Sequence, residues 1–163
     1  MDHNVANLIE KEKEIQLKIS EINNEIKIPK IIAVSKTFSL SDILPVINYG
    51  QIHFGENKVQ EAMDKWGSLK NDFRHLKLHM IGKLQTNKVK YVIGFFDYLH
   101  SLDNIKLAKK ISIEQKKKNK KIKIFIQVNI GNEDQKSGIE ISEIENFYKI
   151  CTNDLKLNII GLM

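Results

Sequence analysis

The sequence has a single cysteine, Cys151, and this scarcity excludes an intrachain disulfide. Chains without disulfides suit a reducing compartment, so we expect a cytoplasmic location. No apolar run approaches the roughly 18 residues that span a membrane, and no basic segment followed by an apolar core opens the chain. We therefore expect neither a membrane association nor a secretory signal.

Arginine is almost absent. Arg74 is the one arginine among 26 basic residues, so the net charge of +6 comes from lysine. Arginine makes the bidentate contacts to phosphate and guanine, and its scarcity argues against a nucleic-acid partner. The densest basic run, residues 116–121, has no interleaved aromatic residue and is expected to be a solvated loop. Because lysine, isoleucine and asparagine share AT-rich codons, a biased genome accounts for the excess of lysine.

The sequence also lacks a Gly-x-Gly-x-x-Gly fingerprint and a Walker-type loop, which removes support for a nucleotide-binding open sheet. It has instead a regular alternation of strand and helix patterns after an amphipathic helix over 4–26. This alternation predicts parallel strands with right-handed crossovers in one α/β domain over 1–163. The predicted strands cover 31–36, 51–54, 76–81, 96–100, 122–130 and 158–163. Polar residues follow nearly every strand, which favours a β/α barrel over a doubly wound sheet.

Lys36 ends the first predicted strand, an apolar run that begins at Ile31. Ligands bind at that end of the strands in open α/β sheets and in β/α barrels. A desolvated lysine there can lose its proton and form an imine with an aldehyde. The alternative is a charge that marks where the strand leaves the core, and spacing alone favours this alternative.

Seven short motifs make the prediction specific. They are Ala-Val-Ser-Lys-Thr at 33–37, His-Phe-Gly-Glu-Asn-Lys-Val-Gln-Glu at 53–61, His-Met-Ile-Gly-Lys-Leu-Gln-Thr-Asn-Lys at 79–88, His-Ser-Leu-Asp at 100–103, Ile-Gln-Val-Asn-Ile at 126–130, Lys-Ser-Gly at 136–138 and Gly-Leu-Met at 161–163. In this order, the set resembles the pyridoxal phosphate homeostasis protein family, the YggS/PROSC-like proteins. Three positions depart from the family pattern, namely Lys58, Lys83 and Ile160, and they put only local loop shape in doubt.

The resemblance implies a TIM-type β/α barrel like the N-terminal domain of alanine racemase, with about six of eight strands present. It implies that pyridoxal 5′-phosphate (PLP) is held as a Schiff base on Lys36 by a non-enzymatic carrier or regulator. PLP-dependent enzymes would then be recipients of the cofactor, and the oligomeric state stays open. The alternative is a PLP-dependent racemase-like enzyme, which needs a second acid/base group across the ring.

The resemblance also places three further residues near the cofactor, namely Asn57, His79 and Ser101. Each has a structural alternative. Asn57 could cap the helix that it precedes, His79 could be a hydrogen-bonded core histidine, and Ser101 could cap the helix that begins near Asp103. The resemblance favours cofactor contact for Asn57 and leaves His79 and Ser101 evenly balanced.

The predicted strand count falls short of a closed barrel, which has eight strands and about 250 residues. The resemblance places the phosphate-binding segment downstream of residues 161–163. We therefore expect a truncated chain that binds PLP more weakly than a complete family member. A reduced natural form that pairs its exposed edge strands with another chain is the alternative.

Overall fold

The chain folds around six parallel strands that lie side by side in the order β1–β2–β3–β4–β5–β8. The structure is a computed structural model, and it describes residues 3–22, 29–131 and 137–163. A separate parallel pair is formed by β6 and β7. The strands are β1 (Ala33–Val34), β2 (His53–Glu56), β3 (Lys77–Met80), β4 (Tyr98–Leu102), β5 (Lys123–Ile126), β6 (Val128–Asn129), β7 (Ile139–Glu140) and β8 (Asn158–Leu162).

Helices connect successive strands of the main sheet, as parallel pairing requires. Their ends follow local signals: the Asn104 side chain accepts the Leu107 N–H at 2.8 Å to start α6, and Asn119 ends it in the left-handed region at φ 50°. Over the described ranges, no helix is both long and apolar enough to cross a bilayer. The helices are α1 (His3–Ile22), α2 (Leu40–Tyr49), α3 (Val59–Trp66), α4 (Leu69–Asp72), α5 (Val89–Val92), α6 (Ile105–Lys118) and α7 (Ile144–Lys149), which continues as a π-helical segment (Ile150–Asp154).

The predicted α/β class and the six-stranded parallel sheet are confirmed, and the described residues form an open sheet rather than a closed barrel. Two local predictions were wrong. The basic run 116–121, expected to be a loop, begins inside α6, which extends to Lys118. The strand expected over 122–130 breaks at Gln127, because the Gln127 carbonyl accepts the Ile139 N–H at 2.8 Å and the chain leaves the main sheet to pair with β7. The predicted helical residues 23–26 lie outside the described residues.

The two faces of the main sheet differ in character. One face packs against the helices with side chains that are at most 1% exposed; they include Phe54, Leu78, Met80, Leu99, Ile124 and Ile126. The register pairs Phe54 with Leu78 and Gly55 with His79, so alternate residues fall on opposite faces. The other face, here called the inner face, carries residues such as His79 and Phe125 and corresponds to the interior of a barrel. Most of the apolar core therefore lies between sheet and helices.

Candidate functional site

Lys36 lies just beyond β1, at the edge of the sheet where the parallel strands end, here called the carboxyl edge. The ladder continues as far as Ser35, whose N–H donates to the Gly55 carbonyl at 3.0 Å. A turn follows, closed by the Phe38 N–H donating to the Ser35 carbonyl at 3.1 Å. Lys36 sits in this turn and is solvent-exposed. The predicted position at the strand end is therefore the position that the structure shows.

A buried carboxylate holds the residue that precedes Lys36. Glu56, 1% exposed, accepts three hydrogen bonds on Oε1: from Ser35 Oγ at 2.7 Å, Lys65 Nζ at 3.1 Å and Trp66 Nε1 at 2.9 Å. Lys65 Nζ also donates to the Ser35 carbonyl at 2.6 Å. Because the Ser35 hydroxyl is bound from the helix side, the alternation of the strand directs the next position toward the inner face.

Gly82 brings two of the predicted residues into one corner of the site. The Ser101 hydroxyl, which is buried, donates to the Gly82 carbonyl at 2.6 Å. On its other side Gly82 packs against Asn57 so closely that a Cβ atom would lie 2.3 Å from the Asn57 carbonyl oxygen. Asn57 is half-buried and directly follows β2. The loops after β2 and β3 therefore meet the end of β4 at the carboxyl edge. Ser101, predicted to follow the fourth strand, lies within β4.

The helix-cap alternatives for two of these residues were wrong. The N-cap position of α3 is Lys58 rather than Asn57, and α6 is capped by Asn104 rather than Ser101. The Ser101 hydroxyl instead ties the loop after β3 to β4. Cofactor contact for Asn57 and Ser101 stays a prediction.

Three histidines form a hydrogen-bonded chain across the inner face. His79 on β3 joins its neighbours through both ring nitrogens: Nε2 lies 2.9 Å from His53 Nδ1 and Nδ1 lies 2.8 Å from His100 Nε2. His79 stacks on Tyr98 with centroids 4.1 Å apart, and His100 stacks on Phe125 at 4.5 Å. These contacts of His79 are those of a hydrogen-bonded core histidine, the structural alternative given for it above. Contact of His79 with a cofactor stays a prediction.

Burial favours the neutral form of these three histidines. It lowers the pKa of His79 from 6.5 to about 3, and repulsion from protonated His100 and His53 adds to the effect. Burial likewise lowers the pKa of His53 and of His100. A neutral imidazole has one donor and one acceptor nitrogen, so His79 donates to one neighbour and accepts from the other. No role was predicted from the sequence for His53 or His100. Each lies on a strand next to a residue that faces the helices, and this alternation is the sequence signal that places both rings on the inner face.

Alanine at Gly82 tests the contact between the loops after β2 and β3. The added Cβ would lie 2.3 Å from the Asn57 oxygen and 2.8 Å from its Cα, and backbone cannot yield as a flexible side chain can. We expect Gly82→Ala to lower the free energy of unfolding by about 1–3 kcal/mol. It should also shift the Asn57 amide resonance in an NMR spectrum.

Gly50→Ala is the matched control for this change. A Cβ added at Gly50 would have no atom within 4 Å, but the residue adopts φ +116°, so alanine there strains the backbone far from the site. Its variant should lose stability without moving the Asn57 signal. An unchanged Asn57 signal in Gly82→Ala would contradict the close contact.

Comparison with known proteins agrees with this architecture. The family model for the alanine racemase N-terminal domain matches residues 11–163. The pyridoxal phosphate homeostasis protein of Haemophilus influenzae is 38% identical over 164 residues, covering 100% of this chain and 68% of that protein. The protein of the same name from Pasteurella multocida is 36% identical over 157 residues, covering 96% and 67%. The chain thus spans about two thirds of the length of these curated relatives.

Solved structures share the fold. PipY of Synechococcus elongatus, solved with PLP bound, is 28% identical, with a TM-score of 0.75 over 91% of this chain and 69% of that one. An alanine racemase of Clostridium difficile superposes with a TM-score of 0.66 at 14% identity, covering 91% and 38%, and supports the fold alone. On the sequence relationship and the shared architecture together, this chain belongs to the pyridoxal phosphate homeostasis proteins, within the alanine racemase N-terminal domain family.

Proposed function

We propose that the chain binds PLP as a Schiff base on Lys36 and takes part in PLP homeostasis without turning over a substrate. The observation that supports it most is the position of Lys36: it is accessible, follows β1 at the carboxyl edge, and belongs to a chain related to PipY, a protein solved with PLP bound. Bound there, PLP would present an aldehyde that the lysine amine can reach.

The surrounding residues fit such a cofactor. The Glu56–Lys65 pair fixes the residue before Lys36, so the amine starts from a held backbone. Asn57 offers an amide at the carboxyl edge, and the hydrogen-bonded histidines around His79 line the inner face without adding a charge. Ser101 acts through Gly82, whose carbonyl it holds. We assign Lys36 the covalent role and the others the task of shaping the cleft.

Borohydride trapping on Lys36→Ala tests the proposal. PLP is added to the protein, the imine is reduced, and peptide mass mapping locates the pyridoxyl group. We expect one major adduct at Lys36 in the wild type and none in Lys36→Ala. Lys58→Ala is the matched control, because Lys58 lies at the same edge after β2 and its side chain is 65% exposed. Labelling spread evenly over the lysines, or unchanged in Lys36→Ala, would contradict the proposal.

The absence of turnover is tested separately. The PLP-loaded protein is incubated with several amino acids and assayed for racemisation and decarboxylation. We expect no product above the level of free PLP. Turnover that Lys36→Ala abolishes would establish the racemase-like alternative, since that residue would then take part in the chemistry.

A further inference from the structure

A charged cleft lies at the edge of the sheet opposite Lys36, where the strands begin. Its volume is about 410 Å³, within the range of small-ligand sites. Asp97 directly precedes β4, and Asn158 is the first residue of β8, so the cleft opens at the amino edge rather than beside Lys36. Five lysines line it: Lys70, Lys77, Lys120, Lys121 and Lys123.

The positive charge of this cleft is poorly balanced. Asp97 is the one acidic residue in the lining, and it is already engaged: Lys77 Nζ lies 3.5 Å from its Oδ1, and the Leu78 N–H donates to its Oδ2 at 3.0 Å. Lys120, Lys121 and Lys123 have no carboxylate within ion-pair distance among residues 3–22, 29–131 and 137–163. Five ammonium groups against one carboxylate repel one another, and a bound anion would relieve that repulsion.

Local contacts hold several of these ammonium groups toward the cleft. Lys123 Nζ donates to the Tyr98 oxygen at 3.3 Å and lies 5.1 Å from the centre of its ring. Because the Tyr98 oxygen accepts that bond, its hydroxyl proton is directed elsewhere and can donate to a ligand. Lys120 packs over Gly94, where a Cβ would lie 3.0 Å from its Cδ, so the glycine makes room for the lysine stem.

Lys70 adds a further charge from the helix side. Its ammonium donates to the Phe95 carbonyl and lies 4.8 Å from the centre of the Phe95 ring. Burial lowers the pKa of Lys70, and the nearby charges of Lys77 and Lys120 lower it further, against an opposing effect of Asp97. An anion in the cleft would offset both the burial and the repulsion.

We propose that this cleft binds a multivalent phosphate anion, of the di- or triphosphate class. Singly charged anions would leave most of the positive charge in place, whereas a triphosphate carries enough charge and enough acceptor oxygens for several ammonium groups at once. The site is distinct from that of the proposed function, since it uses the amino edge of the strands and none of the residues assigned to PLP.

Isothermal titration calorimetry with inorganic triphosphate, at fixed ionic strength and without PLP, tests the site. The variant Lys120→Gln/Lys121→Gln/Lys123→Gln removes three of its charges. The control, Lys106→Gln/Lys109→Gln/Lys116→Gln, removes the same charge from exposed positions on α6. We expect one saturable site whose affinity falls at least about tenfold in the first variant and less than about twofold in the control.

Three outcomes decide the proposal. Equal weakening by the two variants, or no saturable binding to the wild type, would overturn it. Unchanged triphosphate affinity in Lys36→Ala supports it and separates it from PLP binding, so each proposal can fail alone. A parallel titration with ATP identifies the source of the phosphate: tighter binding than triphosphate indicates a nucleotide, and equal binding indicates free polyphosphate.

Discussion

Replacing Glu56 with alanine is expected to lower the free energy of unfolding by about 3–5 kcal/mol, the usual effect of removing one partner from a buried ion pair. Its Oε1 accepts from Ser35, Lys65 and Trp66, and the side chains of Glu56 and Lys65 are 1% and 13% exposed. Without the carboxylate, the Lys65 ammonium loses its counter-charge, and a hydroxyl and an indole N–H lose their carboxylate acceptor in a buried region.

Glu61→Ala is the matched control. Glu61 lies on α3 and pairs with Lys58 at 2.6 Å, but its side chain is 50% exposed and water replaces the lost partner. We expect a change of at most about 1 kcal/mol there. Urea denaturation followed by the fluorescence of Trp66, the single tryptophan, measures both variants. A loss in Glu56→Ala no greater than in Glu61→Ala would refute the role assigned to the buried carboxylate.

The same change should weaken the proposed PLP binding in molecules that remain folded. The Ser35 carbonyl accepts from Lys65 Nζ at 2.6 Å and from the Phe38 N–H at 3.1 Å, so the pair that Glu56 holds also supports the turn carrying Lys36. Without this support, the turn and Lys36 populate more conformations. Forming the imine then costs more conformational entropy. Trapping without denaturant, at a temperature well below the unfolding midpoint, should therefore show slower labelling of Lys36 in Glu56→Ala.

The fold was predictable from the sequence because its signals are local. Apolar runs such as 122–126 alternate with capped helices, and a parallel sheet follows from that order. The break at Gln127 was not predictable, because Ile, Phe and Val recur throughout 122–130 and no glycine or proline marks an end to the strand. It is set by pairing with Ile139, which lies twelve positions along the chain. No window of a few residues contains that partner.

The site was predictable in part for the same reason. Lys36 and Asn57 follow strands, and the carboxyl edge of a parallel sheet gathers such residues. The hydrogen-bond partners were not predictable, because they depend on register. Ser101 points its hydroxyl to the Gly82 carbonyl rather than to the helix that follows it, and the contact of Glu56 with Ser35 joins positions 21 residues apart.

Acid is expected to destabilise the protein through the histidine chain. The pKa of His79 falls from 6.5 to about 3 on folding because of burial, so below pH 6.5 the unfolded chain binds a proton that the folded chain does not. Stability is therefore full above that pH and is lost as the pH falls toward 3. His79 alone accounts for about 2 kcal/mol between roughly pH 6.5 and 4.5. His53 and His100, whose pKa values are also lowered, add to the loss.

Charged groups near the three histidines change how far their pKa values are lowered. Lys30, Lys77 and Lys123 lower the pKa of His53, while Asp97 raises it. The carboxylates with lowered pKa values, among them Asp42 and Glu14, start from 3.8 and 4.5 and lose their contribution mainly at lower pH. The fall above pH 4.5 therefore reports on the histidines.

Urea denaturation at half-unit steps from pH 7.5 to 4.5 measures the effect. In His79→Gln the side-chain amide can still donate and accept but does not titrate, so the slope of stability against pH should flatten even though the variant starts less stable. His75→Gln is the matched control, because His75 is exposed and lies outside the chain of rings. It should keep the wild-type slope. A wild-type slope in His79→Gln would show that the acid sensitivity arises elsewhere.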